Sequence, residues 1–296
     1  MSLLSSPLVG QHFAFAHGRT GVLQQLLLTQ SDVDRLLGAS SGREVEKILT
    51  ELKLTSNIDQ GISDGNAILQ ATAAWIRAEV EQMSPEASKD VFNILWLEGD
   101  TPILSYLIKD ALNFTSAISE VPVSGLTAYD PEALRLLVQE KKSGKLPQDL
   151  VDFVTGLLKR EDLDPQTIDE EVASFVATVS HSLAHMSGSA DIEEYVSNKI
   201  AITKTRTQLR KGEEVEHKSF VDAENLEQGF SRITAHDIAK MWNTPLSIEP
   251  LFAFAATAVQ QLKLVRMILI GKRNDLSPQE IKQALPPFLS ASHYVL

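Results

Sequence analysis

Length, composition and charge exclude several classes of protein before any motif is considered. The chain has 296 residues, 43% of them hydrophobic and 22% charged, so it can bury a sizeable core in two or three modest domains or one extended repeat domain. Acidic residues outnumber basic ones by 39 to 27, and the net charge of -12 argues against a nucleic-acid partner, because phosphate binding needs an excess of lysine and arginine. The chain contains no cysteine, which excludes disulfides and thiolate chemistry and favours a cytosolic setting.

The sequence predicts no segment that enters a membrane, either at the N-terminus or in the interior. Met1 to Gly10 has no lysine or arginine ahead of its apolar residues, unlike a secretory signal. The most apolar stretch, Leu251 to Ile270, is interrupted by two glutamines, Lys263 and Arg266. We therefore expect this stretch to form a buried helix, and any contact with a membrane to be made through another protein.

Apolar residues recur at helical spacing from the N-terminal third onward. Three early segments have this pattern, and their apolar positions are Val22, Leu26, Leu27, Val33, Leu36 and Leu37, then Ile48, Leu49 and Leu52, then Ile68, Ala71, Trp75, Ile76 and Val80. Further along, a serine or aspartate followed by proline marks the start of a helix, because proline suits the first turn and the polar side chain caps free N–H groups. The pair occurs at Ser84-Pro85, Asp130-Pro131, Asp164-Pro165 and Ser277-Pro278, and the last continues into a capping box with Glu280.

Strand signals are few. Thr203 to Thr207 alternates threonine with basic residues, and Val121 to Val123 is short and broken by Pro122. No linker rich in proline, or in glycine and serine, divides the chain. We therefore predict an all-α fold whose domains are tightly joined.

Two histidines supply the best candidate for a metal site. His181 and His185 stand four residues apart and share one helix face, which is the spacing that a zinc site uses. Ser182 occupies the position where a zinc protease has its glutamate general base, and a third ligand has to come from Glu193 or Glu194. The alternative is a pair of ordinary polar positions on a helix, and we predict no metal and no cofactor.

Two further stretches invite a functional interpretation. Gly38 to Arg43 is glycine-rich like a phosphate loop, but it lacks the Gly-Lys-Ser/Thr ending, so it is better interpreted as a helix end followed by a new N-cap at Ser40 or Ser41. Lys199 to Lys211 holds five basic residues without interleaved aromatics, which favours a solvated face or a protein contact over nucleic acid. No motif in the chain indicates an enzyme.

One pattern is repeated along the chain. Asp110 and Asn113 stand in the motif Asp-x-x-Asn-apolar, and Asp222 and Asn225 repeat it 112 residues later. A similar match begins at Asp90. Residues three apart share a helix face, so the pattern predicts a polar stripe that lines a cavity or bonds across helices, or else a solvated face.

These motifs resemble the central-stalk connector family of V/A-type rotary ATPases, whose members carry the letter C in archaeal-type enzymes and d in vacuolar ones. The segment Phe220 to Phe230 is similar to the family's "iDxxNL" helix, and Tyr106 to Leu126 is similar to its first copy. The segment Val259 to Arg273, followed by Leu276 to Ile281, resembles the closing helix, although Gln261 and Leu264 replace its usual acid and asparagine. Matches in the N-terminal pair of helices extend the resemblance over most of the chain.

The resemblance implies three similar helical lobes that form a funnel around a central opening. The expected lobes are residues 1–105, 106–215 and 216–296, with the third packing back near the N-terminus. The implied function is a non-catalytic connector that carries torque between the shaft subunits D and F and the proteolipid ring, on the cytoplasmic face of the membrane. The residues expected in partner binding or lobe packing are Asp110, Asn113, Asp222, Asn225 and Arg266.

Two other functions fit the same helical pattern. A helical-repeat scaffold for a different protein partner shares the all-α fold and needs no active site. A helical metalloenzyme that uses His181 and His185 is the third hypothesis.

Overall fold

The computed structural model describes residues 7–114, 126–213, 226–286 and 288–289. Every regular element in these ranges is a helix, so the prediction of an all-α fold is confirmed. The arrangement of three lobes around a central opening stays a prediction.

The α-helices vary from seven to 25 residues in length. In chain order they are α1 Pro7–Leu23, α2 Gln30–Gly38, α3 Gly42–Glu51, α4 Gly65–Met83, α5 Asn93–Ala111, α6 Pro131–Glu140, α7 Gln148–Leu157, α8 Pro165–Ser187, α9 Ala190–Lys211, α10 Leu226–Trp242, α11 Glu249–Arg273 and α12 Pro278–Ala284. Short 3-10 helices occupy Gln24–Leu26, Lys53–Thr55 and Glu86–Phe92.

Three of the four serine–proline and aspartate–proline pairs lie at the start of an α-helix, as predicted. Asp130 and Asp164 accept hydrogen bonds from N–H groups in the first turns of α6 and α8. Ser277 and Glu280 form the predicted capping box of α12, each side chain accepting from the other residue's N–H. The pair at Ser84 differs, because it leads into the 3-10 helix that precedes α5.

The chain divides into two compact units. The first unit comprises Met1–Lys89 together with Ser187–Leu296, and the second comprises Asp90–Met186. The predicted boundary between residues 105 and 106 falls inside α5. The division into three lobes stays a prediction.

Helix α11 forms the centre of the first unit. It packs against α1, α2, α3, α4, α10 and α12, and α9 packs on α10. Phe252 and Phe254 on α11 are fully buried, and the Phe252 ring meets the Tyr195 ring of α9 edge to face at a centroid distance of 5.5 Å. The expectation of a buried helix over Leu251 to Ile270 is confirmed.

By length and composition, α11 is a candidate membrane span. Its most apolar 18-residue window has a mean hydropathy of 1.4, and 72% of that window is buried inside the protein. The core helix of a folded domain meets the same criteria. The packing of α11 against six other helices therefore accounts for its apolar composition.

The Gln261 side chain connects α11 with the backbone at Leu28 and at Leu289. Its side chain is buried on α11, where Oε1 accepts from the Leu28 N–H at 2.8 Å. Its Nε2 donates to the backbone oxygens of Leu28 and Leu289, at 3.3 and 2.8 Å. An amide both donates and accepts, so it can satisfy backbone groups of opposite polarity in one buried place.

The second unit has its own hydrophobic core, built by α5, α6, α7 and α8. The buried residues of this core are Ile103, Leu104, Leu107, Ile108, Leu134, Leu137, Val138, Leu150, Val154, Leu157, Ile168 and Val172. At its edge the rings of Phe153 and Phe175 stack at 4.4 Å. Lys109 pairs with Asp169 at 2.7 Å, which connects α5 with α8.

Candidate functional site

Asp110 and Asn113 lie at the C-terminal end of α5. The helix ends at Ala111, and Asn113 follows in the left-handed conformation with φ of 62°. The Asn113 N–H donates to the Asp110 oxygen at 3.0 Å, and the Phe114 N–H donates to the Lys109 oxygen at 2.8 Å. These two bonds form a Schellman motif, for which asparagine is a suitable residue.

The prediction that this pair shares a helix face is wrong for the first copy. Asp-x-x-Asn spacing aligns two side chains only while the helix continues, and α5 stops between them. The similar match at Asp90 falls at the opposite end of α5, where Asp90 lies in a 3-10 helix and Asn93 is the first α-helical residue. Within the described residues, the pattern therefore marks the two ends of one helix.

The second copy of the Asp-x-x-Asn motif is Asp222 and Asn225. Asp222 and Asn225 lie outside the described residues. The role of all four residues in partner binding or lobe packing stays a prediction.

Arg266 lies on the part of α11 that faces away from the core. Lys263, Arg266, Met267 and Ile270 are spaced so that they fall within one stripe of this helix. Lys263, Met267 and Ile270 are exposed, and Arg266 is half-buried. The stripe therefore combines two cations with two apolar side chains.

Helix α9 carries cations close to this stripe. Lys199, Arg206 and Arg210 share one face, since they are separated by seven and four residues. The Lys199 Nζ lies 5.3 Å from the centroid of the Tyr195 ring, and the Arg206 guanidinium lies 5.1 Å from that of Phe230. Cation–π contacts of this kind hold the two charged groups over aromatic rings of the core.

Burial shifts the pKa values of three cations on α9 and α11. Burial lowers the pKa of Lys199 well below its ordinary value, and the positive charges of Lys263 and Arg206 lower it further. Lys263 keeps contact with solvent, yet the surrounding helices remove part of its hydration and lower its pKa to about 8. Burial also lowers the pKa of Arg266. Burial therefore disfavours the charged forms of all three side chains.

The candidate metal ligands His181 and His185 are both exposed on α8. The part of the chain that the structure describes contains no group of three or more histidine, aspartate and glutamate side chains placed to hold a metal ion. Glu194, one of the two suggested third ligands, pairs with Lys240 at 2.7 Å. The described residues therefore supply no third ligand beside His181 and His185.

The glycine-rich segment from Gly38 to Arg43 connects two helices, as predicted. Helix α2 ends at Gly38, and Ser41 caps α3 by accepting from the Glu44 N–H. The Glu44 carboxylate in turn accepts from the N–H and hydroxyl of Ser40, both at 2.6 Å. These bonds lower the pKa of Glu44. The interpretation as two consecutive caps is confirmed.

Two buried aspartates have positions that the sequence pattern does not reveal. Asp100, in the middle of α5, accepts from the Ala128 N–H at 2.8 Å and so fixes the segment before α6. Asp237 on α10 accepts from Asn198 of α9 at 2.9 Å. Burial raises the pKa of Asp237, and the Asn198 bond opposes that rise. This bond helps to hold α9 against α10.

No protein-family model matches this chain, and no curated protein matches it either.

Proposed function

We propose that this chain is the non-catalytic connector of a V/A-type ATPase or ATP synthase. In this role it links the shaft subunits D and F to the membrane proteolipid ring and transmits torque for ion transport. It is a peripheral part of a membrane complex on the cytoplasmic side, and it meets the membrane only through the ring.

The observation that carries the proposal is the sequence from Val259 to Ile281. It resembles the family's closing helix over residues 259–273 and 276–281. In this chain the same residues form the C-terminal part of α11, a short turn and the capped start of α12. The helices of this segment contact the N-terminal helices α2 and α3.

The packing of α11 supports the same role. A torque-bearing part needs stiffness, and close-packed interiors have low compressibility. Helix α11 is largely buried among six neighbouring helices, and the Gln261 side chain bonds to two distant backbone segments. Such a core resists bending of one helix relative to the next.

Direct binding tests the connector role. We expect the purified chain to bind a complex of subunits D and F and, in a separate assay, detergent-solubilised proteolipid rings. Catalytic subunits A and B without the shaft serve as the control and are expected not to bind. Affinity for the shaft should fall as salt rises, because charge attraction is screened.

Binding to only one of the two partners would contradict the connector role. An affinity for the shaft that does not change with salt would count against electrostatic docking.

A further inference from the structure

A band of polar side chains lies between α9 and α10. The Lys240 ammonium of α10 pairs with Asp191 and Glu194 of α9, at 2.8 and 2.7 Å. One turn earlier on α10, Asp237 accepts a hydrogen bond from the Asn198 side chain of α9 at 2.9 Å. We call these five residues the α9–α10 seam. The seam holds three carboxylates and one ammonium, so it is negative while all of these groups are ionised.

Asp237 is the buried acid of the seam. It is 3% exposed, whereas Glu194 and Lys240 are exposed. Among the described residues its hydrogen-bond partner is the neutral amide of Asn198, and the ammonium of Lys240 is bonded to the other two carboxylates. A carboxylate removed from water needs a cation or several N–H donors to offset its lost hydration. A single amide offsets only part of that loss.

The charged groups around Asp237 act in opposite directions. Glu194 of α9 disfavours the ionised form of Asp237, while Lys240 and protonated His236 of α10 favour it. Helix α11 also packs against α10, and only residues 243–248 connect the two helices, so the part of α11 nearest Asp237 falls within residues 250–262. This stretch contains no charged residue. Loss of hydration is the largest effect, and it raises the pKa of Asp237 above its ordinary value of 3.8.

We propose that protonation of Asp237 strengthens the contact between α9 and α10, which makes the seam a pH-responsive element of the first unit. In neutral solution ionised Asp237 adds a buried negative charge beside Glu194, and α9 separates from α10 more readily. In mildly acidic solution Asp237 takes up a proton and this charge disappears, so the seam tightens as the pH falls. The inference does not depend on the connector role.

Linkage between protonation and folding fixes the direction of the effect. In the unfolded chain Asp237 has its ordinary pKa, and in the folded protein the pKa is higher. Between these two values the folded state keeps a proton that the unfolded state has lost. The contribution of Asp237 to the free energy of unfolding is therefore fully present below the ordinary pKa and is lost as the pH rises through the folded pKa.

Urea denaturation of the full chain at about pH 7.5 and about pH 4.5 tests the proposal. Asp237→Asn keeps an acceptor for Asn198 and stays neutral at both pH values. Its denaturation midpoint should exceed that of the wild type at the higher pH, and the difference should shrink at the lower pH. The matched control is Asp34→Asn, because Asp34 also accepts from a side-chain amide, that of Gln30 at 2.9 Å, but is exposed on α2. Its difference from the wild type should be the same at both pH values.

A second variant and a local measurement extend the test. Asn198→Asp places another carboxylate against Asp237, so it should lower the midpoint strongly at the higher pH and much less at the lower pH. Hydrogen exchange, corrected for intrinsic rates, should show wild-type amides of α9 and α10 gaining protection at the lower pH relative to those of α6 and α7. Asp237→Asn should abolish that relative gain.

Either of two results would overturn the proposal. The first is a folded Asp237→Asn variant whose difference from the wild type is equal at both pH values. The second is relative protection of α9 and α10 in the wild type that stays constant or falls as the pH falls.

Discussion

Replacing Phe252 with alanine should lower the free energy of unfolding by about 3–5 kcal/mol. The Phe252 side chain is fully buried in the first turn of α11 and contacts the Tyr195 ring at a centroid distance of 5.5 Å. Its removal loses buried apolar area and the edge-to-face contact, and it leaves a cavity that rigid neighbouring helices cannot fill. Urea denaturation followed by circular dichroism measures the change.

Phe15 provides the matched control for this substitution. It is also a phenylalanine on a helix, but its side chain is 68% exposed on α1. Phe15→Ala should change the free energy of unfolding by less than about 0.5 kcal/mol. Similar losses in the two variants would show that α11 is not the centre of the first unit.

Replacing Gln261 with alanine should cost about 2–3 kcal/mol, because backbone groups of Leu28 and Leu289 lose their buried partners. Gln261→Glu should also destabilise the protein near neutral pH. A carboxylate still accepts from the Leu28 N–H, but it cannot donate to the two backbone oxygens. The acid that the family resemblance expects at this position is therefore unsuited to this chain.

The control for Gln261 is Gln25→Ala, since Gln25 is exposed in a short 3-10 helix. We expect it to leave the denaturation midpoint nearly unchanged. A Gln261→Glu variant as stable as the wild type would mean that the three hydrogen bonds contribute little to the fold.

The elements that the sequence predicts well depend on local interactions. Asp130, Asp164 and Ser277 mark helix starts because their side chains bond to N–H groups two or three residues away. The buried character of α11 follows from a long apolar stretch, which needs cover from other helices. Helix caps and apolar stretches can therefore be predicted without knowledge of the tertiary fold.

Features that depend on distant residues could not be predicted in this way. Asp100 is one aspartate within a helix, and its partner N–H groups lie about 28 residues further along the chain. The Asp-x-x-Asn spacing at Asp110 fits a helix interior and a helix end equally well, so it did not reveal where α5 stops. Helices α9 and α11 are distant in the sequence, and the contact between Tyr195 and Phe252 forms only through the tertiary fold.

Affinity purification tests the connector role most directly. The tagged chain is purified from its native membranes in mild detergent, and its partners are identified by mass spectrometry. The proposal predicts recovery of the proteolipid, shaft subunits D and F, and catalytic subunits A and B. Recovery of the chain alone, from membranes that retain the intact ATPase, would contradict the connector role and favour a helical scaffold for another partner.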